Sequence, residues 1–208
     1  MSPGRSGIIL GPIVKLFRFN PKIYMVRPSQ LDAVVLKDLP TAMQVGSQTC
    51  IQQFEEQGYV LELEYSTPRL QRKVQGCAFV LLSPDGLSCA KVIASRHGEK
   101  VILACSVISV SPDGNRLITS NQPQKFDLPK NRTVKRLIGG KPSELVQLHH
   151  HELVHWRRKH QVGVLNSGNI GQDTLSSEQE FVDFLDRRGT LIPLTEEDLQ
   201  VAIGMRSG

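Results

Sequence analysis

The chain has 208 residues, of which 39% are hydrophobic and 22% are charged. This length suits a single domain with an extension and is sufficient to bury a core of its own. The composition argues against a disordered, collagen-like or coiled-coil chain. The apolar runs reach about eight residues, well below the roughly 20 that a membrane-spanning helix requires.

The excess positive charge, +5 overall, lies at the N-terminus. Five basic residues precede the first acidic residue, Asp32, and the remaining chain is neutral. We therefore expect residues 1–30 to form a basic, disordered arm and residues 31–208 to form a single domain without a specific nucleic-acid signal. The arm has three interpretations: a dispensable tail, an extension before a native start at Met25, or a weak contact with a membrane surface.

The four cysteines, Cys50, Cys77, Cys89 and Cys105, form no C-x-x-C pair and lack the spacing of a disulfide scaffold. Three of them lie in apolar runs, where a reduced thiol behaves as a small hydrophobic side chain. Free thiols are typical of a reducing compartment. We therefore expect reduced cysteines and a cytoplasmic protein, with the N-terminal arm as the candidate for membrane association.

Two elements are predicted at the start of the domain. Residues 40–57 form a helix, because Met43, Cys50 and Phe54 share one face and Gly58 favours a left-handed stop. In residues 59–65 the odd-numbered positions are all apolar, and two of the three even-numbered positions are glutamates. This alternation predicts a half-buried antiparallel strand with its apolar residues on a single face.

The tetrapeptide Ser-Pro-Asp-Gly occurs twice, at residues 83–86 and 111–114. Proline presets the second position of a β-turn, and glycine accepts the positive φ that follows. Each copy separates two apolar runs. The region therefore predicts two β-hairpins, joined at residues 96–99, in an antiparallel meander.

The remaining chain is predicted to be mostly helical. Residues 122–141 form a connector whose basic cluster we interpret as a solvated loop, with a phosphate contact as the alternative. A second helix follows over residues 142–160. Ser177 and Glu180 form a capping box that predicts a third helix, and residues 195–199 form a short last helix. The basic cluster consists of Lys130, Arg132, Lys135 and Arg136.

The second predicted helix contains the candidate for catalysis. His151-Glu152-Leu153-Val154-His155 matches H-E-x-x-H, in which two histidines four residues apart share one helix face. Over these five residues the chain resembles the zincin metallopeptidases. The resemblance implies that His151 and His155 bind zinc and that Glu152 is the general base. Glu178 and Glu180 are candidates for a third ligand, but they are better explained as the start of the third helix. The alternative interpretations are a solvated or packed histidine cluster, and adhesion of nickel or zinc without catalysis.

A broader similarity extends over about residues 40–160. The matching stretches are Ser111-Pro-Asp-Gly-Asn-Arg-Leu-Ile-Thr-Ser-Asn121, Pro129, and Ser143-Glu-Leu-Val-Gln-Leu-His149. On these stretches the chain resembles a group of uncharacterised bacterial proteins that share a helix, an antiparallel meander and a returning helix. The resemblance implies a fold and leaves the activity open.

These patterns predict an α+β domain, in which an antiparallel β-meander of four to five strands carries helices on one face. For function, we expect a non-enzymatic domain that binds a ligand or another protein, because no nucleophile–base pair or cofactor loop is evident. The alternative is a zinc-dependent metallopeptidase that uses His151, Glu152 and His155. Zinc is the implied cofactor only under that alternative, and the sequence indicates neither a particular partner nor an oligomeric state.

Overall fold

In a computed structural model of the chain, the described residues are 23–25, 28–67, 74–97, 99–123, 127–189 and 191–193. The helices in these ranges are α1 (Thr41–Glu55), α2 (Pro142–Trp156) and α3 (Ile170–Arg187). The strands are β1 (Ile23–Met25), β2 (Val60–Ser66), β3 (Val74–Leu82), β4 (Cys89–His97), β5 (Lys100–Val110), β6 (Arg116–Ser120), β7 (Arg132–Arg136) and β8 (Leu191–Pro193).

Six of these strands form one mixed sheet in the order β2-β3-β4-β5-β6-β7, and β1 pairs with β8 in parallel. The α+β class is therefore confirmed. Strands β2 to β6 form the antiparallel meander, but β7 adds a sixth strand parallel to β6. The prediction of a purely antiparallel sheet of four to five strands is wrong in this respect. Strand β7 was missed because its basic residues, which are typical of a protected sheet edge, resemble a solvated loop.

The two Ser-Pro-Asp-Gly segments form the predicted hairpin turns. Gly86 has φ 67° and Gly114 has φ 80°, the left-handed region that glycine adopts without strain. In both turns the glycine N–H donates to the carbonyl of the first serine, at 3.0 Å for Ser83 and 2.9 Å for Ser111. These turns set the register of the β3–β4 and β5–β6 pairs.

The first face of the sheet is apolar and is covered by α1 and α2. Phe79, Val92 and Val107 from the central strands are fully buried and belong to one core cluster with Phe54 of α1 and Leu145 of α2. Burying a side chain of this size contributes about 1.5–3 kcal/mol. This face carries most of the hydrophobic core and holds α2 in position.

The second face is covered by α3 and the segment before it, so the prediction that the helices pack on one face is wrong. Leu165 and Ile170 belong to a core cluster with Tyr65, Val80 and other side chains of this face. Further along α3, the contacts with the sheet are mostly ion pairs, as described below.

A β-bulge divides the apolar residues of β2 between the two faces. The pairing with β3 shifts between Leu61 and Leu63. As a result, Tyr59 and Leu61 pack against the α1 cluster, whereas Leu63 and Tyr65 pack on the second face. The predicted strand is confirmed, but the assignment of all its apolar residues to a single face is wrong, because one extra residue reverses the side-chain alternation.

Two boundaries also differ from the prediction. Helix α3 begins at Ile170, so Ser177 lies within the helix and does not cap it. The turn before α3 is closed instead by Asn166, whose side-chain oxygen accepts hydrogen bonds from the N–H groups of Gly168 and Asn169. At the N-terminus, β1 forms part of the segment expected to be a disordered arm. The rest of that arm before residue 23 and the predicted helix at 195–199 lie outside the described residues.

Candidate functional site

The H-E-x-x-H residues lie on the outer part of α2. The rings of His151 and His155 are 5.2 Å apart between centroids and stand at 69° to each other. The side chain of Glu152 is 19% exposed, and its carboxylate forms an ion pair with the Lys135 ammonium at 3.1 Å. The hydrogen bond from Lys135 lowers the pKa of Glu152. Glu152 thus connects α2 to β7.

The acids suggested as a third zinc ligand are not close to this histidine pair. Glu178 and Glu180 belong to α3 on the second face of the sheet, where Glu178 contacts Tyr65 and Lys91. Within the described ranges, no three His, Cys, Asp or Glu side chains form a group suited to a metal ion. The zinc peptidase therefore stays a prediction that involves only His151, Glu152 and His155.

A different histidine of α2 belongs to a buried network. His149 is fully buried, and its Nε2 lies 2.9 Å from Ser109 Oγ while its Nδ1 lies 3.2 Å from Thr119 Oγ1. Ser109 is also within hydrogen-bond distance of the Leu87 carbonyl, to which its hydroxyl donates at 2.7 Å; this favours the tautomer with the hydrogen on Nε2. Ser109, Thr119 and His149 are all buried and form a polar network within the core.

The described residues form a groove beside β7, which we call the basic groove. It has a volume of about 430 Å³ and is formed by β7, the turn before β7 and Arg188, the residue that follows α3. The even-numbered residues of β7 project from the second face into this groove. Its lining residues are Asp127, Leu128, Pro129, Lys130, Arg132, Val134, Arg136 and Arg188.

The basic groove contains more positive than negative charge. Arg188 pairs with Asp127 at 3.2 Å, and Arg132 pairs with Glu180, which lies just outside the lining, at 3.3 Å. Across the ranges that the structure describes, the side chains of Lys130 and Arg136 form no ion pair or hydrogen bond. Two of the four cations therefore have no counter-ion among the described residues.

Two of these guanidinium groups also have unsatisfied donors. The Nε atoms of Arg132 and Arg136 are buried and have no hydrogen-bond partner in the described part of the chain. The side chain of Arg132 is only 9% exposed, and burial lowers its pKa while the charge of Glu180 opposes this effect. A buried N–H group without a partner costs free energy, so an oxygen-rich ligand that accepted from these atoms would remove that cost.

The sequence pointed to part of this groove. Of the predicted basic cluster, Lys130, Arg132 and Arg136 come together there, whereas Lys135 projects from the opposite face toward Glu152. Arg188 was missed because it lies about 50 residues further along the chain. Successive side chains of a strand point to opposite faces of the sheet, so recognising Arg132–Arg136 as a strand would have assigned Lys135 to the face opposite Arg132 and Arg136.

Comparisons with protein-family models, curated proteins and solved structures found no match to this chain. In the described part of the molecule, no helix combines the length and hydrophobicity needed to cross a bilayer. The assignment of function therefore depends on the geometry of the basic groove and of α2.

Proposed function

We propose that this protein is a non-enzymatic binding domain whose ligand is a small molecule with two negative charges, held in the basic groove. The observation that carries the proposal is the pair of cations, Lys130 and Arg136, that have no counter-ion among the described residues. A dianion would neutralise both of them. A phosphate monoester or a dicarboxylate has this charge.

The chemistry of the lining supports an anionic oxygen ligand. A guanidinium group donates two parallel hydrogen bonds to a phosphate or carboxylate, and such charge-assisted bonds are stronger than neutral ones. Arg132 and Arg136 both line the groove, and their buried Nε atoms have no partner among the described residues. The exposed lining of the groove is predominantly polar, which suits a small ligand rich in oxygen atoms.

The same lining favours binding over catalysis. Its residues include no hydroxyl, thiol or imidazole group, and its single carboxylate, Asp127, is paired with Arg188. Of the groups that commonly serve as a nucleophile or a general base, the described lining therefore offers only the paired Asp127 carboxylate and the ammonium group of Lys130. We therefore expect the ligand to leave the groove chemically unchanged.

The proposal is tested by titrating the purified full chain with inorganic phosphate in a calorimeter. We expect saturable binding that the Arg136→Gln variant weakens by about tenfold or more, because one charge-assisted hydrogen bond is lost. Arg136 has no ion pair with a described residue, so the variant should keep the wild-type fold, which circular dichroism checks.

The matched control is Arg157→Gln, which removes the same charge from an exposed position just after α2. It should leave the affinity for phosphate within about twofold of wild type, as expected for a distant and screened charge. The proposal is wrong if the wild-type protein shows no saturable phosphate binding, or if both variants weaken binding equally.

A further inference from the structure

Helix α3 is attached to the second face of the sheet largely by charge. Glu178 forms an ion pair with Lys91, and Asp173 receives two hydrogen bonds from Arg116 at 2.8 and 2.9 Å. The third pair joins Glu180 to Arg132. Apolar contact with the core of this face comes from Ile170, at the start of the helix.

The later turns of α3 have fewer apolar contacts with the sheet. Val182 and Leu185 are buried in a separate small cluster with Phe181 and Phe184. This part of the helix is linked to the sheet edge by Asn131, which donates to Glu180 at 2.6 Å, and by Arg132, which lies over the Phe181 ring at 5.3 Å from the centroid. Its Nη2 also donates to the carbonyl of Ser177 at 2.9 Å.

Arg132 is therefore shared between α3 and the basic groove. It lines the groove on one side, and on the other it contacts Glu180 at 3.3 Å. An anion that binds Arg132 and Arg136 would place negative charge close to the Glu180 carboxylate. The two anions repel each other and compete for the same guanidinium, so each weakens the binding of the other.

We propose that Glu180 competes with the anionic ligand of the basic groove, so that occupancy of the groove loosens the later turns of α3. This inference rests on the proposed function, since it concerns the regulation of the same groove. By thermodynamic reciprocity, the ligand weakens the contact between Glu180 and Arg132 by the same factor by which that contact weakens ligand binding.

The first test compares the phosphate affinity of the full chain with that of the Glu180→Gln variant. Glutamine removes the charge but keeps an oxygen that can accept the hydrogen bond that Asn131 donates to Glu180. We expect the affinity to rise by about fivefold, because the repulsion of a nearby unit charge is removed. The control, Asp186→Asn, removes the same charge from an exposed position of α3 and should change the affinity by less than about twofold.

The second test follows amide hydrogen exchange in the wild-type protein with and without phosphate. Saturating phosphate should speed exchange in residues 177–187, and it should leave exchange in residues 170–174, near the Arg116–Asp173 pair, unchanged. The Arg136→Gln variant should show no such response at the same phosphate concentration.

The outcomes separate the two proposals. If wild-type protein binds phosphate and Arg136→Gln reduces binding, but Glu180→Gln does not increase it, the competition is wrong and the binding function stands. An unchanged or slower exchange of residues 177–187 in bound protein likewise overturns the competition. If the wild-type protein does not bind phosphate, both proposals fall together.

Discussion

His149 shows how a single polar side chain is accommodated in the core of this protein. The imidazole projects from α2 toward β5 and β6 and is fully buried, and both ring nitrogens have hydroxyl partners on these strands. Burial lowers the pKa of His149 to about 3, with a smaller contribution from the charge of His150. The folded protein therefore holds the neutral form of this histidine well below neutral pH.

This shift makes stability depend on pH in a predictable direction. Below an ordinary histidine pKa of about 6.5, the unfolded chain takes up a proton at this position and the folded protein does not. His149 therefore contributes stability above pH 6.5 that is lost on acidification, at about 1.4 kcal/mol per pH unit, until the pH reaches the folded pKa of about 3.

Urea unfolding of the wild-type protein and the His149→Gln variant between pH 7 and pH 5 measures this effect. The variant should be less stable at pH 7 by about 1–3 kcal/mol, because a core hydrogen-bond network is disturbed, and its stability should fall less on acidification. His155→Gln, at an exposed position, should retain the wild-type slope. A wild-type slope in His149→Gln would show that His149 titrates normally in the folded protein.

At the scale of elements, α2 presents His149 to the core and carries the H-E-x-x-H residues on its outer part. Glu152 is held by Lys135 across to β7, and its neighbour His151 lies 3.7 Å away between Nδ1 and Oε1. The ion pair joins a largely covered carboxylate to a lysine that is 46% exposed. Pairs of this kind contribute little net stability, because solvent screens the charges.

The Glu152→Gln variant tests which role this residue has. If it only pairs with Lys135, the free energy of unfolding should change by about 0.5 kcal/mol or less, and Lys135→Gln should have a similar effect. Stoichiometric zinc in protein purified without a polyhistidine tag, lost in the His151→Ala, His155→Ala double variant, would contradict this expectation. It would favour the peptidase alternative, for which Glu152→Gln should abolish turnover.

The elements that sequence reasoning located correctly are those with strong local signals. The Ser-Pro-Asp-Gly turns and the helix stop at Gly58, with φ 84°, depend on residues adjacent in the chain. Strand β7 and the start of α3 were missed because their evidence is not local. A parallel edge strand needs β6 as its partner, and α3 is anchored by Ile170, a single apolar residue among Asn and Gly.

The candidate site, too, was predictable from the sequence only where its evidence is local. The basic cluster was visible as a run of like charges, but the groove requires Arg188 from α3 and the alternation of β7. The partners of His149 are 40 and 30 positions away in the chain. No local pattern links such residues, because tertiary packing alone brings them together.

At the scale of the whole molecule, the two faces of the sheet are stabilised by different physical effects. The first face buries a continuous apolar core, while much of the second is covered through ion pairs with α3. Removing one partner of a covered ion pair is far more costly than removing an exposed one, because the remaining charge is left without compensation. The second face is therefore the more sensitive of the two to changes in charge.

The buried core also contains weakly acidic groups that must stay protonated in the fold. Burial raises the pKa of Tyr59, Tyr65 and Cys89 to about 12, and that of Cys77 to about 11. In the unfolded chain these thiols ionise near pH 9 and the tyrosines near pH 10. Between the pKa in the unfolded chain and the pKa in the folded protein, each of these groups binds fewer protons in the unfolded state than in the folded state. The stability of the fold is therefore full below pH 9 and falls as the pH rises through this range.

We therefore expect the protein to unfold cooperatively at high pH. Between its two pKa values, each group lowers the free energy of unfolding by about 1.4 kcal/mol per pH unit. A typical domain has a free energy of unfolding of about 5–15 kcal/mol, so the midpoint of unfolding should lie at roughly pH 11. Far-ultraviolet circular dichroism and phenolate absorbance, recorded in the same titration under reducing conditions, should change together. The Tyr59→Phe variant, which removes one group whose hydroxyl is bonded to Ser88, should show a shallower loss of stability above pH 10. Ionisation of all three tyrosines near pH 10, with the secondary structure intact, would show that Tyr59 and Tyr65 are accessible to solvent and that the core is not packed as described.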